Sequence, residues 1–290
     1  MSKKVLILGV EGMLGHTCFD YFNGQSDFQT FGTWRKADQK KVKFFDATNC
    51  SVEKLISDVQ PDWIINCIGV IKQKINENDA ISIESTLRIN QEFPHEIARA
   101  VAETKTRVIQ IATDCVFNGE IGNYSEESRH DAVDLYGKSK SLGEIKAKEF
   151  INLRVSIIGR EIKTNLSLAD WFLSQDDGAK VDGFQNHIWN GITTIAFSRI
   201  AAGIVRSGKQ IFGTMNIVPN DQISKFELLQ LLGKYFDRGD IGINPIDAPI
   251  AVDRTLCTIY PELNRAIWKS AGYEGIPSIK ELIEELADCS

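Results

Sequence analysis

Apolar residues fall along this chain in two alternating rhythms. Short, nearly unbroken apolar runs occur at Lys3–Leu8, Phe28–Trp34, Val42–Ala47, Trp63–Gly69, Arg107–Thr113 and Ile151–Ile158. Runs of this kind suit strands covered on both faces, as in a parallel sheet. Between them lie stretches with helical spacing: His16–Phe22, Ser51–Val59, Ala80–Glu103 and Tyr136–Glu149. The second opens on a capping serine. Pro94 predicts a break near Asn90–Phe93, because an interior proline costs about 3 kcal/mol. The alternation predicts α/β architecture, a parallel sheet with helices on both faces.

Past Gly159 the pattern loosens. Helices are expected over Asn165–Leu173, Ile195–Val205, Ser224–Phe236 and Ile279–Ala287, a strand over Phe212–Val218, and a loop over Phe184–Thr194. The division this predicts is a dinucleotide-binding domain over 1–162 plus about 190–218. A smaller α/β substrate lobe would take 163–189 plus 219–290.

The candidate chemistry gathers where the predicted strands end. Gly9, Gly12 and Gly15 lie between the first strand and the first helix. There, Gly9 permits a tight turn, Gly12 lets backbone approach a pyrophosphate, and Gly15 lets the helix sit close to the sheet. Met13 and Leu14 would present the helix N-terminus to the phosphates. The fold is thus read as a Rossmann-type doubly wound sheet. The second strand ends at Arg35-Lys36, where an NAD enzyme carries an acidic ribose ligand; a guanidinium suits a 2′-phosphate, so NADPH is the expected cofactor, with NADH as second choice. Asp46 and Ala47 are placed toward the adenine, and Cys67, Ile68 and Gly69 against the cofactor. Glu11, inside the turn, must point away from the pyrophosphate or weaken binding.

Tyr136 and Lys140 stand four residues apart, on one helical face. Free tyrosine titrates near about 10, and a neighbouring ammonium lowers that value. With the Thr113 hydroxyl at the end of the fifth strand, the set suggests carbonyl reduction. Tyr136 would give a proton, Lys140 would tune it, and Thr113 would steady the oxygen. Ligands in such sheets bind beyond the carboxyl ends of the strands. Gly9, Arg35, Asp46, Gly69 and Thr113 all fall at that edge.

Composition narrows the classes. The chain has 290 residues, 43% hydrophobic and 25% charged, with net charge −6. That argues against a nucleic-acid partner. No run approaches the about 20 apolar residues of a membrane span. Val5–Leu8 is too short for a signal-peptide core, and the six cysteines show no C-x-x-C pair. A cytoplasmic protein with reduced thiols and no metal site is expected.

The chain resembles the extended short-chain dehydrogenase/reductases, and among them the dTDP-4-dehydrorhamnose reductase group. The matching pieces are Gly9-x-x-Gly12-x-x-Gly15, Thr113-Asp-Cys-Val-Phe117-x-Gly119, Tyr136-Gly-Lys-Ser-Lys140-x-x-Gly143-Glu144 and Leu153-Arg-Val-Ser156. The resemblance implies NAD(P)H reduction of the 4-keto group of a nucleotide-linked 6-deoxy sugar, in polysaccharide precursor synthesis. It implies Tyr136 as proton donor, Lys140 as tuner and ribose ligand, and Thr113 and Asp114 at the substrate. Trp189 and Asn190 fall in the substrate loop, and Arg254 is placed to meet a diphosphate. A homodimer is left open.

Related dehydratases carry Asp-Glu after the threonine; here Asp114 is followed by Cys115, which disfavours dehydration. Two alternatives stand: a sugar-nucleotide epimerase on the same fold, and a non-catalytic regulatory subunit of the methionine adenosyltransferase type.

Overall fold

The computed structural model describes residues 2–36, 41–208 and 211–289. Strands β1 (Lys3–Leu8), β2 (Phe28–Trp34), β3 (Val42–Phe44), β4 (Trp63–Asn66), β5 (Arg107–Thr113) and β6 (Phe150–Val155) join an edge strand, Gly213–Asn216, in one sheet. Every neighbouring pair is parallel, in the order β3-β2-β1-β4-β5-β6 and then the edge strand. The chain runs outward from β1 to β3 and then returns to the other side of β1. That reversal opens a crevice beyond the carboxyl ends of β1 and β4. The expected Rossmann-type α/β fold is present.

The period of two along β1 divides the core. Val5 and Ile7 face helices α1 (Met13–Asn23) and α7 (Thr194–Ser207), among Cys18, Phe22, Phe197 and Ile200. Leu6 and Leu8 face α2 (Val52–Val59) and α4 (Phe93–Val101), among Ile56, Phe93 and Ile97. A smaller core lies in a second lobe. There α6 (Leu168–Leu173), α8 (Lys225–Tyr235) and α10 (Ile279–Asp288) bring together Phe172, Leu228, Leu232 and Ile283.

Four expectations are revised. The segment around Pro94 is α3 (Ala80–Leu87), a π-helical turn (Arg88–Glu92) and α4, so the break is a widened, underwound turn and the proline sits harmlessly in the first turn of α4. The helix expected over Tyr136–Glu149 is α5 (Leu135–Leu142), ending at Gly143. A Cβ on Gly143 would lie 2.1 Å from the Asn90 carbonyl oxygen, so only glycine fits where the helix ends beside that turn. The expected loop Phe184–Thr194 holds two short strands, His187–Trp189 and Ile192–Thr193. The first is the middle of a three-stranded ribbon, flanked by Ile223–Ser224 and Val252–Asp253. Finally, α9 (Pro261–Ser270), not foreseen from sequence, sends Ile267 and the fully buried Trp268 into the sheet-side core rather than the second lobe. Among the described residues, no helix is long and apolar enough to cross a membrane.

Candidate active site

The glycine turn is built as its spacing suggests. Gly9 has φ +85, a left-handed value that glycine adopts freely. Its N–H donates to Thr33 Oγ1 at 3.0 Å, tying the turn to β2. A Cβ on Gly15 would stand 2.0 Å from the Gly9 carbonyl oxygen, so only glycine lets α1 approach so closely. At Gly12 a Cβ would meet nothing nearer than Gly9 O at 3.6 Å. The space beside Gly12 is therefore open, and no side chain caps α1 there. Met13 and Leu14 thus offer an uncapped helix N-terminus, which is what a pyrophosphate requires.

The other groups expected at the cofactor line the same edge, each with a complication. Arg35 is 71% exposed, and its Nε lies 4.0 Å from Glu11 Oε2. Glu11 also accepts from Lys163 at 2.5 Å, and this hydrogen bond, aided by Arg35, holds its carboxyl below the usual carboxylate range. The carboxylate in the glycine turn is thus neutralised by two cations. Burial works to raise Asp46, but hydrogen bonds from Thr48 and Asn49 hold it below the ordinary aspartate value. Its Oδ1 accepts from Thr48 N at 2.9 Å and Oγ1 at 2.7 Å, so the carboxylate mainly closes its own turn beside the buried Ala47. Cys67, Ile68 and Gly69 follow β4 directly. Hydrogen bonding with Cys18, together with burial, pushes the Cys67 thiol well up.

Thr113 and Tyr136 meet. A short 3-10 turn, Asp114–Val116, follows β5, and Thr113 caps it by accepting from Cys115 N at 3.1 Å. Helix α5 lies against this turn so closely that a Cβ on Gly137 would fall 2.2 Å from the Cys115 carbonyl oxygen. The contact sets the Tyr136 phenol beside the Thr113 hydroxyl, which works to lower the phenol, while the hydroxyl itself donates to Asp114 Oδ1 at 3.1 Å. Asp134 caps α5 through Gly137 N at 2.8 Å and is itself bridged by Lys72 at 2.6 Å.

The expected downward pull of Lys140 on the phenol is not found. Burial, then Cys115 and Asp114, pushes Tyr136 above the ordinary phenol value. Lys140 is buried, and its Nζ donates to the Ile111 carbonyl at 2.8 Å. Burial lowers Lys140 to about 8, against the pull of Glu144 and Cys67. Both residues share a helical face, but the ammonium is held by the strand beneath rather than by the phenol. An up-shifted phenol keeps its proton at neutral pH and so remains a donor.

Asn90 escaped the sequence reading. It is buried on the π-helical turn, takes Val70 N on its Oδ1 at 2.8 Å, and gives its amide to Val70 O at 3.0 Å and Ser139 Oγ at 3.2 Å. It therefore joins the segment after β4 to α5. Its only sequence signal is Pro94, because π-turns gather at functional sites.

The substrate side differs most from expectation. Trp189 is 5% exposed and donates from Nε1 to Ser156 Oγ at 2.8 Å. Asn190 is buried and makes two hydrogen bonds with the Leu256 backbone, at 2.7 and 2.9 Å. Both side chains are turned to internal partners, so neither has a face free to stack on or clasp a sugar. A depression of about 460 Å³ beyond Asn190 and Leu256 is lined by Asn220, Gln222 and Thr258, among others, but by none of Thr113, Tyr136 or Lys140.

Arg254 does reach the site. It donates to the carbonyls of Phe117 at 2.8 Å and Asn118 at 3.2 Å, and its stem fills the space that a Cβ on Gly119 would need. Burial raises the Asp114 carboxyl, opposed by Arg254 and Lys225. Lys225, also missed from sequence, sits in the first turn of α8, where the helix dipole disfavours a cation. That mismatch is the signal that could have found it. Burial lowers its ammonium to about 8. Burial likewise raises the Cys115 thiol to about 12, so Cys115 is a neutral neighbour of the reacting groups. The six cysteines are free thiols, and no cluster suited to a metal lies among the described residues.

Residues 3–180 match the family described as RmlD substrate binding domain. Methionine adenosyltransferase 2 subunit beta of Mus musculus is 27% identical over 263 residues, 86% of this chain and 77% of that protein. The dTDP-4-keto-6-deoxy-D-glucose reductase of Streptomyces niveus is 24% identical over 145 residues, 50% of this chain and 47% of that one. Among solved structures, the dTDP-4-dehydrorhamnose reductase of Bacillus anthracis in complex with NADP superposes with a TM-score of 0.81 at 18% identity, covering 100% of both chains. At that identity the likeness establishes the fold.

Proposed function

Since the chain belongs to the RmlD substrate binding domain family, we propose that it is an NADPH-dependent reductase of the 4-keto group of a nucleotide-linked deoxy sugar. The observation that carries this reading is the Tyr136 phenol set beside the Thr113 hydroxyl, at the end of β5. That end opens on the edge that holds the open glycine turn. The reductase of Streptomyces niveus and the NADP-bound structure from Bacillus anthracis agree with this assignment.

The chain's residues divide the work. Gly9, Gly12, Gly15 and the start of α1 hold the pyrophosphate, and Arg35 takes the 2′-phosphate. Gly69 closes the crevice from the β4 side. When bound, the reduced nicotinamide supplies hydride to the carbonyl carbon. Thr113, whose hydroxyl donates to Asp114 Oδ1 here, would turn that proton to the carbonyl oxygen and hold it in place. Tyr136, protonated throughout the neutral range, delivers its proton to that oxygen. Lys140, fixed on Ile111 O, stands beneath the phenol as a ribose ligand and keeps a positive charge near the oxyanion. Asp114 and Arg254 position the sugar nucleotide. The cofactor domain is 1–162 with 190–218, and the substrate lobe is 163–189 with 219–290, except that α9 packs with the sheet.

The test is a screen of purified protein against nucleotide-linked 4-keto sugars, following loss of NADPH absorbance. Stoichiometric consumption supports reduction; turnover on retained NAD without added reductant would mean an epimerase. One observation favours a second reading. The match to methionine adenosyltransferase 2 subunit beta spans more of the chain than the match to the reductase. Co-purification with a synthetase and no NADPH oxidation on any keto sugar would support that role.

A further inference from the structure

We infer that Lys225 binds the substrate, and that the group it holds is a sugar hydroxyl shared with the Asp114 carboxylate. This deepens the reductase reading and rests on it. The three-stranded ribbon sets the geometry. Ser224 ends one flanking strand and Asp253 ends the other, so Lys225 and Arg254 leave the ribbon on either side of Trp189. Arg254 is fixed by the carbonyls of Phe117 and Asn118. Lys225 is not fixed by anything polar. Its ammonium lies 5.3 Å over the Trp189 ring, and among the described residues no hydrogen-bond acceptor holds it within 3.5 Å and no carboxylate within 4.0 Å. The charges that act on it are Asp114, from the turn after β5, and the like charge of Arg254.

A half-buried ammonium without an acceptor is unfavourable, and so is a cation in the first turn of a helix. The charge of Asp114 and the Trp189 ring offset the first only in part, since burial still lowers the ammonium. Asp114 accepts from Thr113 Oγ1 at 3.1 Å and has acceptor positions left. A hydroxyl accepts from the ammonium and donates to the carboxylate at once. A methyl group does neither, and a carboxylate would be repelled by Asp114. The geometry therefore selects a hydroxylated sugar close to its reacting carbon.

The experiment compares wild type, Lys225→Met and Lys225→Arg with NADPH and a nucleotide-linked 4-keto-6-deoxyhexose. Methionine keeps the unbranched stem over Trp189. Lys225→Met should raise KM about 10- to 100-fold, the loss of one hydrogen bond to a charged group. kcat should fall less, and NADPH affinity should stay in place. Wild-type KM should rise above about pH 8 as the ammonium deprotonates. Lys225→Arg should keep KM within a few-fold and abolish that rise. Lys140 also titrates near about 8 but is unchanged in all three proteins. An unchanged KM in Lys225→Met, or an equal loss of NADPH binding, overturns the proposal.

A second readout does not need turnover. An amine-acylating reagent should modify Lys225, and saturating nucleotide-linked 6-deoxyhexose should protect it, as located by mass spectrometry. Absence of protection overturns the inference. Protection without NADPH consumption on any keto sugar would instead remove the reductase reading and leave the Lys225 contact standing.

Discussion

At the scale of single residues, the proton donor is the first to test. Tyr136→Phe removes one hydroxyl from a half-buried ring and leaves the packing. It should lower kcat by about 10²- to 10⁴-fold, the usual worth of a placed general acid, with an unchanged melting temperature. Near-full turnover would defeat the mechanism. Arg35 is tested by selectivity: Arg35→Ala should weaken NADPH about tenfold or more and leave NADH nearly alone, as judged by titration with each cofactor. An unaltered ratio would mean that Arg35 is only a solvated partner of Glu11. Lys140 carries a prediction about stability. Its folded value of about 8 lies below the about 10.4 of an unfolded lysine. Between those values the unfolded chain binds more protons, so stability rises with pH; below both, the buried charge weighs against folding. Urea midpoints of wild type should therefore gain on those of Lys140→Met from about pH 7 to about pH 10. The sequence placed Tyr136 and Lys140 on one helical face but did not show where the ammonium goes. Spacing fixes a face, whereas the partner, Ile111 O, is 29 residues away in sequence.

At the scale of elements, the glycines separate folding from binding. Gly15→Ala should destabilise by about 1–3 kcal/mol or more and lose cofactor, because its Cβ would collide with the Gly9 carbonyl oxygen. Gly12→Ala has room for its Cβ, so its melting temperature should hold while NADPH affinity falls. If both alanines weakened folding alike, the open space beside Gly12 would not be a ligand site. The turn was legible because strand, glycines and helix adjoin in sequence. The end of α5 was not: it falls at Gly143, which lies close against the Asn90 carbonyl oxygen, a contact between distant segments. The ribbon around His187–Trp189 was hidden for the same reason. Strands of two or three residues leave little periodicity, and their partners lie at Ile223–Ser224 and Val252–Asp253.

At the scale of the whole molecule, the two lobes share a foundation. Trp268 of α9 is fully buried in the sheet-side core and donates to Val218 O at 3.0 Å, while α10 contributes Leu282 to that core and Ile283 to the other. Trp268→Ala should cost about 3–5 kcal/mol, and fluorescence and circular dichroism should still report one transition rather than two. The parallel sheet was legible because runs such as Val5–Leu8 are apolar on both faces. The second lobe was legible only as a lobe, because its small core draws on residues from Ile158 to Ile283.

The contact of Gly137 with the carbonyl of Cys115 has a practical outcome. Backbone touches backbone there, so the register between donor and threonine owes nothing to the thiol beside them. Position 115 is therefore a place to retune which sugars are accepted: a library of small replacements should redistribute substrate preference while every member keeps the same acid in the same seat.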